Sequence, residues 1–402
     1  MVRSMIFDEE FKKDLKEGAV SLMLCNLGDY ISGYFLQIFQ PIIMHAEILL
    51  ALLPAASDAR GDVYSSYGSR LGTLLHLGMA KKLIRAELMA LSSILILINT
   101  WIGLLTFIVS IVFGKYNLEP YSTVFVAVLS AVISSIIMIP STTWLAFTSF
   151  KRGINPDNVV APIATLFGDM VTVPTIVFAY LIATDVPRLF MLLFTLVLLI
   201  IPAYVFYRVV TREENDPLER TWNILVQNMP IIMFSSSMSM FAGVILMTNI
   251  NNIVKGLGIL AVIPAFLEDG GAIACRFSSR LSTSLHIGSI KIKWIPSDSW
   301  TLKQFLLNLI HALMIFGSLS IFGFAVAISR GATIMWGFKV IEIVMSAGLL
   351  LTAIITILTY YAAMASFKAG IDPDNTLAPI LTSIADIIGT SSLALMLIVM
   401  GG

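Results

Sequence analysis

With 57% hydrophobic and only 12% charged residues over 402 positions, and a mean hydropathy of +0.90, the chain has too little polar surface to face water all round. A soluble domain carries about 25% charged residues, so lipid must be the main solvent here. A formal net charge of zero without a basic patch beyond the membrane flanks gives no footing for nucleic acid, and two cysteines in apolar runs, Cys25 and Cys275, make neither a disulfide framework nor a thiolate metal site.

In chain order, residues 1–18 mix both charge signs and lack a small-residue cleavage site, so they read as a cytoplasmic tail or interfacial helix rather than a cleaved signal. Crossing the hydrocarbon core takes about 20 apolar residues. Such stretches recur near 19–39, 43–78, 88–113, 120–150, 158–183, 187–208, 222–248, 253–288, 301–329, 335–368 and 375–400, which predicts about eleven spans. The second and eighth are long enough to be kinked or broken, and the second contains Gly61, Gly68, Gly72 and Gly78. Irregular backbone at membrane depth is tolerated where it lines protein or a cavity. With the N-terminus inside, sixteen basic residues fall on the cytoplasmic side, against Lys115, Arg188, Lys255, Arg330 and Lys339 outside. That asymmetry follows the positive-inside rule and places the C-terminus outside.

Two pairs of segments repeat. Residues 54–78 match 264–288 at an offset of 210, with Pro54/Pro264, Gly61/Gly271, Arg70/Arg280, Thr73/Thr283 and His76/His286 identical. Residues 153–169 match 370–386 at an offset of 217, and the seven extra residues fall near the polar stretch 291–300. The chain therefore divides into a tail (1–18), a first five-span repeat (19–184), a linking transmembrane helix with a cytoplasmic loop (185–221) and a second five-span repeat (222–402). Five spans per copy would invert the second copy, and the linking span restores a parallel orientation. The expected architecture is thus an all-α polytopic membrane protein with a pseudo-twofold axis along the membrane normal and a pathway at the interface of its repeats.

The candidate site residues are acids within apolar helices. Asp169 and Asp386 occupy matched positions well inside the fifth span of each repeat, where an ionised carboxylate costs at least about 2.5–3.5 kcal/mol and marks an ion path by default. Thr165 and Thr382 lie one turn before them on the same face. The alternative is a structural ion pair with an intramembrane arginine such as Arg70 or Arg280. Asp58 and Glu268 are a second matched pair of acids. Asp62 has Ala272 at its matched position, with Asp269 only an approximate substitute, and Asp29 aligns with Ser239. The triplets Pro156-Asp157-Asn158 and Pro373-Asp374-Asn375 read as helix caps. His76 and His286 read as helix-end packing residues. No phosphate-binding glycine loop, nucleophile–base pair or zinc-type spacing is present, so the chain reads as a non-enzyme.

Carboxylates, hydroxyls and carbonyls suit hard cations. Two aspartates, one per repeat, fit a hydrated Mg²⁺ better than a dehydrated Ca²⁺, because Mg²⁺ keeps several of its waters. The donor set favours Mg²⁺ and leaves Mn²⁺ and Co²⁺ open.

The Pro…Gly…SRL.T..H.G and PDN…AP..T…D segments resemble the membrane domain of the MgtE magnesium transporters and the related solute carrier family 41 over nearly all of residues 19–402. The resemblance implies a Mg²⁺ pathway between the repeats with Asp169 and Asp386 as central ligands. It also implies a layout like an MgtE homodimer fused into one chain, so that a monomer contains both halves. Where the family's first motif commonly has Gly-Asn, this chain has Gly61-Asp62 and Gly271-Ala272. The expected function is divalent cation transport in the cell membrane. The alternatives are a broader exchanger coupled to Na⁺ or H⁺, with Asp29 as coupling residue, or a cation-binding sensor that does not transport.

Overall fold

The computed structural model describes residues 9–114, 120–153, 160–211, 218–370 and 373–401. Among them the chain forms thirteen helices: α1 (Glu9–Ile38), α2 (Gln40–His45), α3 (Ile48–His76), α4 (Ala80–Val112), α5 (Pro120–Lys151), α6 (Val160–Asp185), α7 (Arg188–Val210), α8 (Leu218–Thr248), α9 (Ile250–Lys255), α10 (Ile259–His286), α11 (Ser299–Ser329), α12 (Ile334–Lys368) and α13 (Pro373–Met400). All but α2 and α9 have 23 residues or more. Eight of these long helices are apolar enough to cross a bilayer, namely α4 to α8 and α11 to α13. The other three carry more charged residues, among them Asp29 in α1, Asp58 and Asp62 in α3 and Glu268 in α10, which lowers their hydropathy.

The two long segments expected to be interrupted are each split near the start, into α2 and α3 and into α9 and α10. The breaks lie ahead of the glycines suspected of causing them: α3 runs without interruption through Pro54, Gly61, Gly68 and Gly72. The glycines that close the matched motifs end helices instead. Gly78 and Gly288 have φ of 68° and 76°, the left-handed conformation that stops a helix with little strain only when there is no Cβ.

The molecule divides into two compact units, Pro41–Met247 and Met1–Gln40 with Thr248–Gly402. These units are not coextensive with the sequence repeats. Helix α1, which begins the first repeat, packs on α10 and α11 of the second, and α8, which begins the second repeat, lies in the unit built from α3 to α7. Close helix approach explains the pairing. A Cβ on Gly33 of α1 would lie 1.8 Å from the backbone oxygen of Ala261 in α10. At the matched positions of the other unit, a Cβ on Gly243 of α8 would lie 2.3 Å from the backbone oxygen of Ala51 in α3. Small residues let membrane helices meet backbone to backbone. Gly33→Ala and Gly243→Ala are therefore each expected to destabilise the purified protein by about 1–3 kcal/mol through overpacking. Gly317→Ala, where a Cβ meets nothing within 4 Å, is the control expected to leave the thermal midpoint in place.

Within each unit the acid-bearing helix is wrapped by apolar ones, α3 by α4, α5 and α6, and α10 by α1, α11, α12 and α13. Helix α7 packs on α4 and α5 and leaves most of its surface outside the unit, including Leu189, Leu196 and Ile200. The matched histidines pack as expected of helix ends. His76 meets Phe150 edge-on at 5.3 Å, and His286 meets Phe367 at 5.1 Å. The polar stretch 291–300 forms the connection from α10 to α11, which Asp298 caps by accepting from Thr301 N at 2.8 Å.

Candidate cation-binding site

In the unit of residues 41–247, α3 presents two polar faces. One meets α6: Ser57 Oγ donates to Asp169 Oδ1 at 2.6 Å, and Asp169 is buried. Gly61, one turn on, turns toward Thr165, whose Cγ2 would lie 3.5 Å from a Cβ there. The other face meets α8, where residues 58, 62 and 66 recur every turn. Ser239 donates to Asp58 Oδ2, Ser235 donates to Asp62 Oδ2 at 3.2 Å, and Ser66 donates to Asn228 Oδ1 at 3.2 Å. Asp58, Asp62 and Thr165 are half-buried. The hydroxyls compensate the carboxylates without neutralising them, which leaves oxygen-rich surfaces on both sides of α3.

The second unit repeats this plan with different residues. Gly271 of α10 faces Thr382 of α13, with a would-be Cβ 3.0 Å from its Cγ2, and Asp386 sits one turn further on, buried. Glu268 stands where α3 has Asp58, and Asp29 of α1 stands where α8 has Ser239. A serine–carboxylate pair in one unit is thus a carboxylate–carboxylate pair in the other, and both Glu268 and Asp269 act electrostatically on Asp29. Asp29 and Asp269 are each about 2% exposed. Asn26 lies on the same face of α1 and donates to the Tyr30 hydroxyl at 3.4 Å, which in turn pairs with Ser318 at 2.7 Å.

The arginines proposed as alternative partners are engaged elsewhere. Arg70 Nε donates to Glu87 Oε2 at 2.9 Å, and Arg280 pairs with Asp14. Glu87 is fully buried and is also held by Arg220 at 2.7 Å. Among the described residues, no three His, Cys, Asp or Glu side chains converge closely enough to enclose a bare metal ion. In the unit of residues 41–247 the acids are each met by a hydroxyl, Asp169 by Ser57, Asp58 by Ser239 and Asp62 by Ser235.

Several contributors escaped sequence reasoning. Ser57, Ser235 and Ser239 were visible only as serines in apolar helices, although Ser235-Ser236-Ser237 is a conspicuous polar run in a span. Asn26 drew no attention because an amide in an apolar helix has many neutral explanations. Residues 156–158 lie outside the described residues, and Pro373 opens α13.

The profile of the MgtE divalent cation transporters matches the chain twice, at residues 53–179 and 263–396. The chain belongs to the MgtE family. It is a multi-pass membrane protein of a transporter family and not an enzyme. It is 26% identical to solute carrier family 41 member 3 of Rattus norvegicus, covering 94% of this chain and 85% of that protein. Solute carrier family 41 member 2 of Xenopus laevis is 24% identical over 96% of this chain and 73% of its own length. The Homo sapiens member 2 is 25% identical, over 94% and 68%. No solved structure matches this MgtE-family chain. Both profile matches begin one residue before the matched Pro54 and Pro264 and run past Asp169 and Asp386, so each covers one α3–α6 or α10–α13 set.

Proposed function

We propose that this protein moves Mg²⁺ across the membrane along a path lined by Asp169 and Asp386, with Thr165 and Thr382 beside them. One observation carries this: both aspartates lie almost wholly buried, 7% and 3% exposed, at matched positions of helices apolar enough to span a bilayer. Carboxylates at that depth are retained where they serve an ion. Asp58, Asp62, Glu268 and Asp29 flank the same helices and would draw a hydrated cation toward them. Acids interspersed with hydroxyls suit an ion that keeps its inner waters, as Mg²⁺ does. All eleven long helices would cross the membrane, α1, α3 and α10 included, with the N-terminus cytoplasmic as the basic residues require.

The test is flux in proteoliposomes loaded with a Mg²⁺ indicator. The expected result is uptake down an imposed Mg²⁺ gradient well above protein-free vesicles, with Mn²⁺ and Co²⁺ competing more weakly. Uptake no faster than in empty vesicles would overturn the proposal. A second reading, exchange coupled to Na⁺ or H⁺, is favoured by the asymmetry at Asp29, which faces Glu268 and Asp269 where the other unit has only Ser239 against Asp58. Imposed Na⁺ and pH gradients separate the two, since uncoupled flux ignores both.

A further inference from the structure

Arg60 is fully buried inside the unit of residues 41–247, on the α3 turn between Asp58 and Asp62. Its guanidinium reaches away from those acids. One terminal nitrogen donates to Thr175 Oγ1 of α6 at 3.1 Å and the other to Ser130 Oγ of α5 at 2.7 Å. Both hydroxyls spend their own protons on backbone carbonyls, Ser130 on Ala127 O at 2.8 Å and Thr175 on Val171 O at 2.8 Å. They are therefore fixed as acceptors, and the guanidinium is clamped. Two neutral hydroxyls do not compensate a buried cation, and Nε has no hydrogen-bond partner. Ser57, one turn before Arg60 on α3, donates to Asp169 on the helix that carries Thr175, so the guanidinium and the Asp169 carboxylate belong to one α3–α6 contact, and Tyr64 and Asp169 both act on the guanidinium electrostatically. The charge is thus poorly compensated beside the doubly paired Glu87 of the same unit.

The second unit has no equivalent. Arg60 matches Gly270, Tyr64 matches Ala274, Ser130 matches Ala347 and Ser134 matches Leu351. The space is filled with hydrocarbon, for a Cβ on Gly270 would lie 2.8 Å from Leu351 Cδ2. A buried cation occupies this position in one unit, and hydrocarbon occupies the matched position in the other.

We propose that Arg60 is a positioning residue that sets the charge felt at Asp169, so that the two matched aspartates hold a divalent cation unequally, weakly at Asp169 and tightly at Asp386. The fixed positive charge opposes cation binding at one of two otherwise similar sites and thereby speeds release from it. This deepens the function proposed above and rests on Asp169 being a cation ligand.

The experiment compares Mg²⁺ flux in proteoliposomes for the wild type, Arg60→Met, Arg60→Lys and Ser130→Ala, each also in an Asp169→Asn background. Arg60→Met is expected to lower the KM for Mg²⁺ about tenfold, the scale of one screened charge pair inside a protein, and to lower the maximal rate. Arg60→Lys keeps the charge and restores most of the wild-type KM. Ser130→Ala frees one arm of the guanidinium and shifts KM in the same direction by less, which serves if Arg60→Met does not fold. The KM shifts disappear when Asp169 is asparagine. An unchanged KM in Arg60→Met and Ser130→Ala, or a shift that persists without the Asp169 carboxylate, overturns the proposal. Failure of the underlying function looks different, because Asp169→Asn alone would then leave flux at the wild-type level.

Discussion

Replacing Asp169 and Asp386 together by asparagine is expected to reduce Mg²⁺ flux to the level of empty vesicles while the protein stays folded. Asparagine keeps the volume and one carbonyl oxygen of each side chain and removes the negative charge. A hydrogen bond to a charged group is worth about 1.5–3 kcal/mol, so loss of one charge slows a rate that depends on it by about tenfold or more, and loss of both compounds the effect. The Ser57 hydroxyl, which donates to Asp169 at 2.6 Å, can donate equally to an amide oxygen. The measurement is initial flux per reconstituted molecule, with size-exclusion profile and thermal midpoint as folding controls. Wild-type flux in the double variant would remove both residues from the pathway. The single variants should also differ, because Arg60 holds the helix of Asp169 through Thr175 whereas the matched position of the other unit is Gly270, packed against Leu351.

The largest effect on stability is expected at Glu87. Its side chain is fully buried and receives Arg70 and Arg220 from α3 and α8, whose own side chains are 19% and 33% exposed. Removing one partner of a buried ion pair typically costs about 3–5 kcal/mol, because the remaining charge is left uncompensated. Both guanidinia keep some access to solvent, so Glu87→Gln should fall near the lower end, about 3 kcal/mol. The loss reaches the candidate site as well, since α8 carries the Ser235 and Ser239 hydroxyls that meet Asp62 and Asp58. Thermal unfolding of the purified protein should therefore shift well below the wild type. Combining Glu87→Leu with Arg70→Met and Arg220→Met should recover part of that loss, because an apolar cluster of similar volume replaces the whole ion triad. A Glu87→Gln midpoint equal to the wild type would show that the arginines find other partners.

Much of this site was legible in the linear chain. An acid inside an apolar helix stands out on its cost alone, so Asp169, Asp386, Asp58 and Glu268 could be named from hydropathy and from the duplicated motifs. The duplication also exposed Asp29 and Asp62 as departures from symmetry. Partners were a different matter. Arg70 and Arg280 were reasonable counter-ions for the aspartates by type and depth, yet they pair with Glu87 and Asp14. The arginine that reaches the helix of Asp169 is Arg60, nearly three turns earlier than Arg70 on the same helix, through Thr175. Helical period tells which residues share a face, and says nothing about which neighbouring helix that face will meet.

Sequence by itself determined the solvent, the helical class, the two copies and the identity of the embedded acids. Each of these follows from local composition or from self-similarity, both of which are properties of the chain read in order. Only the tertiary structure decided that the first helix of each repeat packs with the other repeat, through Gly33 on Ala261 and Gly243 on Ala51. It alone decided as well that a buried guanidinium is held between Thr175, on the helix of Asp169, and Ser130. The physical reason is the same in both cases. In lipid, apolar helices are nearly interchangeable as neighbours, and the choice among them falls to backbone clearance and to a few buried polar contacts between residues far apart in sequence.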